Sequence, residues 1–220
     1  MINYGTRKLD RLTKKSSRGR AEEGARTRAR LVEAALQTLI EAGYAGTSAR
    51  AIAGRAGLNP ALVFYHFGGV DDLLLAALDR SSAERLERYR TETAELGDSV
   101  DFIRRIADLF REDVEGGHVT ALTEMIGACL SRPHLRAELV IRIQPWTEFV
   151  EGVLERVLER SHLPVQIPTA EPAFAIAAGY LGLNLLSRLL PDFDQTERLF
   201  ELVAQLARLA EGLSTPPPSR

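Results

Sequence analysis

Few residues in this chain have the types and spacing to do chemistry, and those few suit binding better than catalysis. Residues 1–30 carry ten basic side chains: Arg7, Lys8, Arg11, Lys14, Lys15, Arg18, Arg20, Arg26, Arg28 and Arg30. Against them stand only Asp10, Glu22 and Glu23, a net +7, so the rest of the chain must hold −9 to reach the overall −2. A basic head on an acidic body suits a polyanion at one end only. No nucleophile elbow, phosphate-cradling glycine loop or metal-ligand spacing occurs, so neither an enzyme nor a cofactor is expected. The four histidines are too scattered to argue a metal site. The single cysteine, Cys129, excludes an intrachain disulfide and any cysteine-based cluster. Glu124 and Asn184 each stand within a mainly apolar stretch. A polar group there needs a partner, and a ligand is one candidate.

The stretch 47–67, TSARAIAGRAGLNPALVFYHF, predicts two short helices with a tight turn between them. Thr47 or Ser48 can cap the first helix. Ala49, Ile52, Ala53 and Ala56 follow the i, i+3, i+4, i+7 spacing of one apolar stripe. Gly57 stands where that helix must stop and a positive φ is favoured. Asn59 and Pro60 give a second start, a capping side chain followed by a residue whose missing N–H costs nothing in the first turn. Val63 and Phe67 then repeat at helical spacing. Two short helices around a glycine turn form a helix-turn-helix, a unit that places its second helix in the DNA major groove.

The segment AIAGRAGLNPALVFYHFGGVDDLL resembles the DNA-binding region of the TetR family of bacterial transcriptional regulators. Thr47, Ile52-Ala53, Ala56-Gly57-Leu58, Phe64-Tyr65-His66-Phe67 and Asp72-Leu73-Leu74 carry the resemblance. It implies roles residue by residue. Arg50 corresponds to a position that can face the groove and read guanine bidentately, or equally a phosphate or solvent. Pro60, Ala61, Leu62 and Tyr65 correspond to base-facing positions of the second helix; three of the four are apolar and suit shape and thymine methyls. Thr47, Ser48 and His66 correspond to phosphate-bonding positions. Phe64 stands where the family has a tyrosine, and Val70 where it has a lysine, so two phosphate contacts are missing.

The elements that must position these residues are all helical. The 220-residue chain is long enough for one large or two small domains with a full core. Residues 1–24 lack a sustained apolar period and are expected to be a disordered basic arm, either following phosphates or serving as a solvated tail. Residues 26–42 read as an amphipathic helix ended by Gly43, completing a three-helix head over 25–70. Gly68-Gly69 breaks the second helix of the unit. A fourth helix starts near Val70 with Asp71 and Asp72 on its positive end. Further helices are expected over 99–114, 118–130, 134–160, 171–190 and 196–213, with a kink at Pro145. Residues 163–168 read as a linker, and 214–220 as a disordered tail. The expectation is an all-α protein of about nine or ten helices, with a body over 71–213. No run spans a bilayer, and no apolar signal segment follows the charged start, so a cytoplasmic location is expected and no membrane.

The resemblance also implies a homodimer and a small-molecule site. Ala178 and Gly182 permit close helix approach, and Leu199, Leu202, Val203 and Leu206 form a stripe; these helices either pair with a second copy or cover their own core. One short recognition helix reads too few base pairs alone, which favours the dimer. The pocket candidates are Phe110, Leu122, Met125, Ile126, Trp146, Phe149 and Tyr180, with Thr123, Glu124, Cys129, Gln144 and Asn184 as polar members. Each of these taken alone is more often a plain core residue. The function this favours is a dimeric repressor on a pseudo-palindromic double-stranded DNA operator, released by a mainly apolar effector. A DNA-binding regulator answering to a protein partner, or to nothing, is the alternative.

Overall fold

The computed structural model describes residues 4–94, 96–160, 168–189 and 195–214. Among them are nine helices and no strand. The chain divides into two compact units, 1–77 and 78–220, with the boundary inside the fourth helix.

The first unit contains α1 (Tyr4–Gly46), α2 (Ala49–Ala56), α3 (Ala61–Phe67) and the start of α4 (Val70–Thr93). Where residues 1–24 are expected to be disordered, the backbone is already helical from Tyr4. Arg, Lys, Ala and Glu are good helix formers and no proline interrupts them, so absence of an apolar period does not forbid a helix there. Met1 to Asn3 lie outside the described residues. Gly43 interrupts α1 with φ 67° and ψ 176°, so the regular helix stops where the sequence places its end. Leu31, Ala35 and Leu39 are wholly buried, as are Ile52 and Ala53 of α2, Val63 of α3, and Leu73, Leu74 and Ala77 of α4. α2 packs on α1, and α3 on α2.

The second unit holds the rest of α4 with α5 (Ser99–Glu115), α6 (His118–Ser131), α7 (His134–Arg160), α8 (Ala170–Leu189) and α9 (Gln195–Ser214). These bounds fall within two residues of those the periodicity predicts. Asp98 caps α5, its Oδ1 accepting the Val100 and Asp101 N–H groups at 2.8 and 2.9 Å. Gly117, at φ 71°, makes the break before α6. α7 is one helix through Pro145, where a kink is expected. α5 packs against α9 and α6, α7 against α8 and α6, and α6 also against α8. Leu109, Phe110, Val119, Met125, Leu135 and Leu139 lie in this core. Most of the 163–168 linker, the turn around Pro191 and residues 215–220 lie outside the described residues.

Candidate functional site

In the first unit, hydrogen bonds at the helix ends fix how α3 is presented. Ser48 Oγ accepts the Ala51 N–H at 3.2 Å and caps α2. Gly57 ends α2 in the left-handed region at φ 61°, and the Leu58 N–H reaches back to the Ala53 carbonyl at 2.9 Å. That pattern satisfies carbonyls a helix end otherwise leaves open. Asn59 Oδ1 accepts the Ala61 N–H at 2.9 Å and starts α3. A helix of seven residues has little stability of its own. Val63, fully buried, is therefore the anchor that holds it.

Anchoring Val63 turns the neighbouring side chains outward. Tyr65 is 80% exposed and Phe64 56%. Pro60 and Ala61 are exposed, Leu62 and His66 half-buried. Arg50 is exposed on α2. The His66 ring lies edge-on to Tyr65 at 4.9 Å between centroids. Thr47 and Ser48 differ in what they can still offer. The Thr47 hydroxyl donates to the Gly43 carbonyl at 2.7 Å, so its proton is already engaged. Ser48 accepts in its cap, which leaves its own O–H free to donate to a phosphate oxygen.

Two basic residues that belong to the N-terminal charge have a different task. Arg28 Nη1 donates to the His66 carbonyl at 2.9 Å, and its guanidinium lies 4.1 Å from the Phe67 ring centre. Arg30 donates to the Ala56 carbonyl. Both tie α1 to the ends of the following helices. Net charge alone does not distinguish them from phosphate-directed arginines.

In the second unit, a buried polar cluster joins four helices. Asp113 of α5 is its centre. Its Oδ1 accepts from Arg85 Nε at 2.7 Å. Its Oδ2 accepts from Tyr180 at 2.7 Å, from Tyr89 at 2.9 Å, and from Arg85 Nη2. The Arg85 guanidinium lies 4.9 Å from the Trp146 ring centre, and Trp146 Nε1 donates to Ser82 Oγ at 2.6 Å. Tyr89 meets Trp146 and Phe149 edge-on at 5.3 and 6.1 Å, and Phe110 meets Tyr180 at 4.9 Å.

Burial is the largest single influence on Arg85 and would lower its pKa, but the hydrogen bond to Asp113 and the electrostatic pull of Tyr180, Asp113 and Tyr89 together raise it above normal. Burial, reinforced by the neighbouring Tyr180 and Asp113, pushes the Tyr89 hydroxyl far up. Burial also raises Tyr180 despite the opposing pull of Arg85. Both tyrosines therefore remain proton donors to Asp113 across the working range of pH.

Four of the pocket candidates, Phe110, Trp146, Phe149 and Tyr180, belong to this cluster. Met125 is wholly buried. Leu122, Thr123, Glu124, Ile126 and Cys129 are half-buried on α6. Gln144 is exposed and donates to Glu148 at 2.8 Å, so it leaves the set. Ser82, Arg85, Tyr89 and Asp113 are not among the residues the sequence points to. The available signal was Asp113 itself, three residues after Phe110 on the apolar side of α5. A groove of about 850 Å³ opens between α5 and α9, and of the candidates only Phe110 lines it. Among the described residues no group of three or more His, Cys, Asp or Glu is placed to hold a metal ion, and no single helix is long and apolar enough to cross a membrane.

On α8 and α9 the expected association residues face outward. Ala178 is exposed and Gly182 half-buried. Leu199, Leu202, Val203 and Leu206 are 40–56% exposed, with Phe174, Leu185, Leu189 and Leu209 exposed beside them in sequence. Ala204 of α9 is buried instead.

Fold and site together define an all-helical protein with an N-terminal helix-turn-helix head and a separate helical body. Residues 31–77 match the family model described as bacterial regulatory proteins, tetR family. The match places the tetR-family DNA-binding region in the head of this chain. It is 29% identical over 113 residues to an uncharacterized HTH-type transcriptional regulator of Mycobacterium tuberculosis, a match covering 51% of this chain and 58% of that protein. The fold resembles a TetR transcriptional regulator from Chloroflexus aurantiacus, at 26% identity and TM-score 0.68, covering 84% of this chain and 95% of that one. It also resembles the transcriptional regulator FadR from Bacillus subtilis in complex with stearoyl-CoA, at 14% identity and TM-score 0.68, covering 81% and 96%.

Proposed function

We propose that this protein is a transcriptional regulator that binds double-stranded operator DNA as a homodimer, represses, and is released by a small, mainly apolar effector held in the body. The observation that carries the reading is the presentation of α3: Val63 is wholly buried while Phe64 and Tyr65 project from the same short helix. Large aromatics at 56% and 80% exposure need a reason, and contact with a groove supplies one. The uncovered apolar side chains of α8 and α9 support the homodimer, since large apolar surfaces mark association sites. A second copy also doubles the number of base pairs read, on a pseudo-palindromic site. In this reading Ser48 and His66 meet phosphates, Thr47 does so only by giving up its bond to the Gly43 carbonyl, Arg50, Pro60, Ala61, Leu62 and Tyr65 meet base edges, and the protein works in the cytoplasm. The aromatic cluster around Trp146 and Phe110 supports an effector site. A regulator of similar fold has been crystallised in complex with stearoyl-CoA, which carries a long apolar chain.

The test is a footprint of the full chain on the DNA flanking its own gene. A protected, two-fold related site is expected, with Tyr65→Ala reducing affinity at least tenfold while leaving the helical spectrum unchanged. No protection, or protection indifferent to Tyr65→Ala, would overturn the reading.

A further inference from the structure

Several buried polar residues of the second unit are bonded, whereas Asn184 has both of its side-chain polar atoms unmet. Ser81 Oγ lies 2.9 Å from His118 Nδ1, Thr93 donates to the Tyr89 carbonyl at 2.7 Å, and Asp113 accepts on both oxygens. Asn184 is 1% exposed, and neither its Nδ2 nor its Oδ1 has a hydrogen-bond partner among the described residues. An amide offers two donors and a two-lone-pair acceptor, and leaving all of them unmet in a core is costly. Local backbone structure gives Asn184 no role either. It stands in the interior of α8, away from both caps, where asparagine is a mediocre helix former.

Its place on α8 shows what it meets. Ala173, Ala177, Tyr180, Asn184 and Ser187 recur at three- and four-residue steps and are the buried or half-buried residues of one stripe. One turn before Asn184, the Tyr180 ring packs on Phe110, which lines the groove of about 850 Å³. One turn after it, Ser187 lines the same groove. Asn184 therefore lies on one stripe of α8 between Tyr180, which packs on the lining residue Phe110, and Ser187, which lines the groove itself. The charges nearby are balanced. Arg85 and Asp113 neutralise each other, and the four hydrogen bonds to Asp113 leave its oxygens saturated. The groove rim itself holds three arginines against three carboxylates. A ligand bearing a net charge would find no unmatched counter-charge inside, and its desolvation would go uncompensated.

We propose that Asn184 is the polar anchor of an effector site for a neutral molecule that presents a donor and an acceptor side by side, as a carboxamide, lactam or urea does, on an apolar body. The amide of the ligand pairs with the amide of Asn184 in two hydrogen bonds, and its apolar part lies along Phe110 and the groove. The proposal rests on the reading that the body holds an effector, and it adds the class of that effector.

The experiment measures thermal unfolding and Trp146 fluorescence of the full chain with hexanamide and ε-caprolactam. Hexanol, hexanoate and hexylammonium serve as matched probes lacking the paired groups or carrying charge. A tenfold excess of an amide over its dissociation constant should raise the wild-type midpoint by about 3–5 °C, and the matched probes should give less than a third of that. Asn184→Leu, close in volume, should raise the unliganded midpoint and abolish the amide response; Asn184→Met guards against a shape effect of the branched side chain. Three results would overturn the proposal. The first is a lowered midpoint or loss of folding in both variants, as a structural amide bridged by ordered water only would give. The second is a larger response to hexanoate or hexylammonium than to hexanamide. The third is no response to either amide at millimolar concentration. Operator binding by the unliganded wild type is measured separately, so failure of the regulator reading and failure of this site are told apart.

Discussion

Asp113→Asn isolates the buried cluster with the smallest change of shape. The substitution removes one charge and leaves an oxygen to accept from Tyr89 or Tyr180. Arg85, whose side chain is 13% exposed against 6% for Asp113, then keeps its positive charge with no counter-ion. Breaking a buried pair by removing one partner costs about 3–5 kcal/mol, because the survivor stays desolvated. The retained tyrosine bonds place Asp113→Asn near the lower limit, about 3 kcal/mol. At roughly 2–4 °C per kcal/mol for a chain of this size, the thermal midpoint should fall by about 6–12 °C. The double replacement Arg85→Met with Asp113→Leu removes both charges and should recover most of that loss, since apolar groups of similar volume often replace a buried pair without cost. Calorimetry and urea unfolding of the three proteins give the comparison. A loss below about 1 kcal/mol for Asp113→Asn, or a double variant worse than the single, would refute the cluster as a desolvated, mutually dependent unit.

The same cluster predicts an alkaline limit. Tyr89 and Tyr180 are raised in the folded chain, so their contribution is complete below the ordinary tyrosine value of about 10 and is lost as pH rises above it. Urea midpoints should hold to about pH 9 and then fall, less steeply in Tyr89→Phe/Tyr180→Phe. Glutamate at Leu202 or Leu206 should give monomers by light scattering at micromolar concentration; dimers in both would place the association surface elsewhere. Deleting residues 1–20 should weaken DNA binding and lower the slope of log K against log salt by roughly 0.9 for each phosphate the arm neutralises. An unchanged slope would remove the arm from the interface.

The head was legible in the sequence because each of its features is local. Gly57, Asn59-Pro60 and the spacing of Ile52, Ala53 and Val63 fix two short helices without reference to anything distant, and the structure has them capped at those residues. Helix bounds in the body were legible for the same reason. The cluster around Asp113 was not, because its members lie far apart in sequence on four helices. Ser82, Arg85 and Tyr89 look like part of a solvated face among Glu84, Glu87 and Arg88, and periodicity does not say that another helix covers them. Net charge misleads in the opposite direction. It groups Arg28 and Arg30 with a polyanion surface, although each donates to a carbonyl within the head.

What the sequence hid bears on how the proposed regulator would couple its two ends. α4 runs from Val70 to Thr93, and the division between the two compact units falls within it. Within the second unit it is gripped on several sides. Asp79 pairs with Arg142 of α7 at 2.8 Å, Ser81 meets His118 of α6, and Arg85 meets Asp113 of α5 and Tyr180 of α8. On the outer face Arg88 and Arg105 share Glu92 and Glu112. The exposed members of this set contribute little each, because water screens them. The Arg85–Asp113 pair is the one whose rearrangement is expensive, so it sets which positions of α4 are accessible. An effector changes DNA affinity only by its difference in affinity for those positions, and operator DNA must alter effector affinity by the same factor. Coupling of about 1–3 kcal/mol is typical, which is less than the cost of breaking the buried pair. An effector in the groove would therefore act by shifting α4 with Arg85 and Asp113 still joined, through Tyr180 and Phe110. Pulling the pair apart would require more free energy than such coupling supplies.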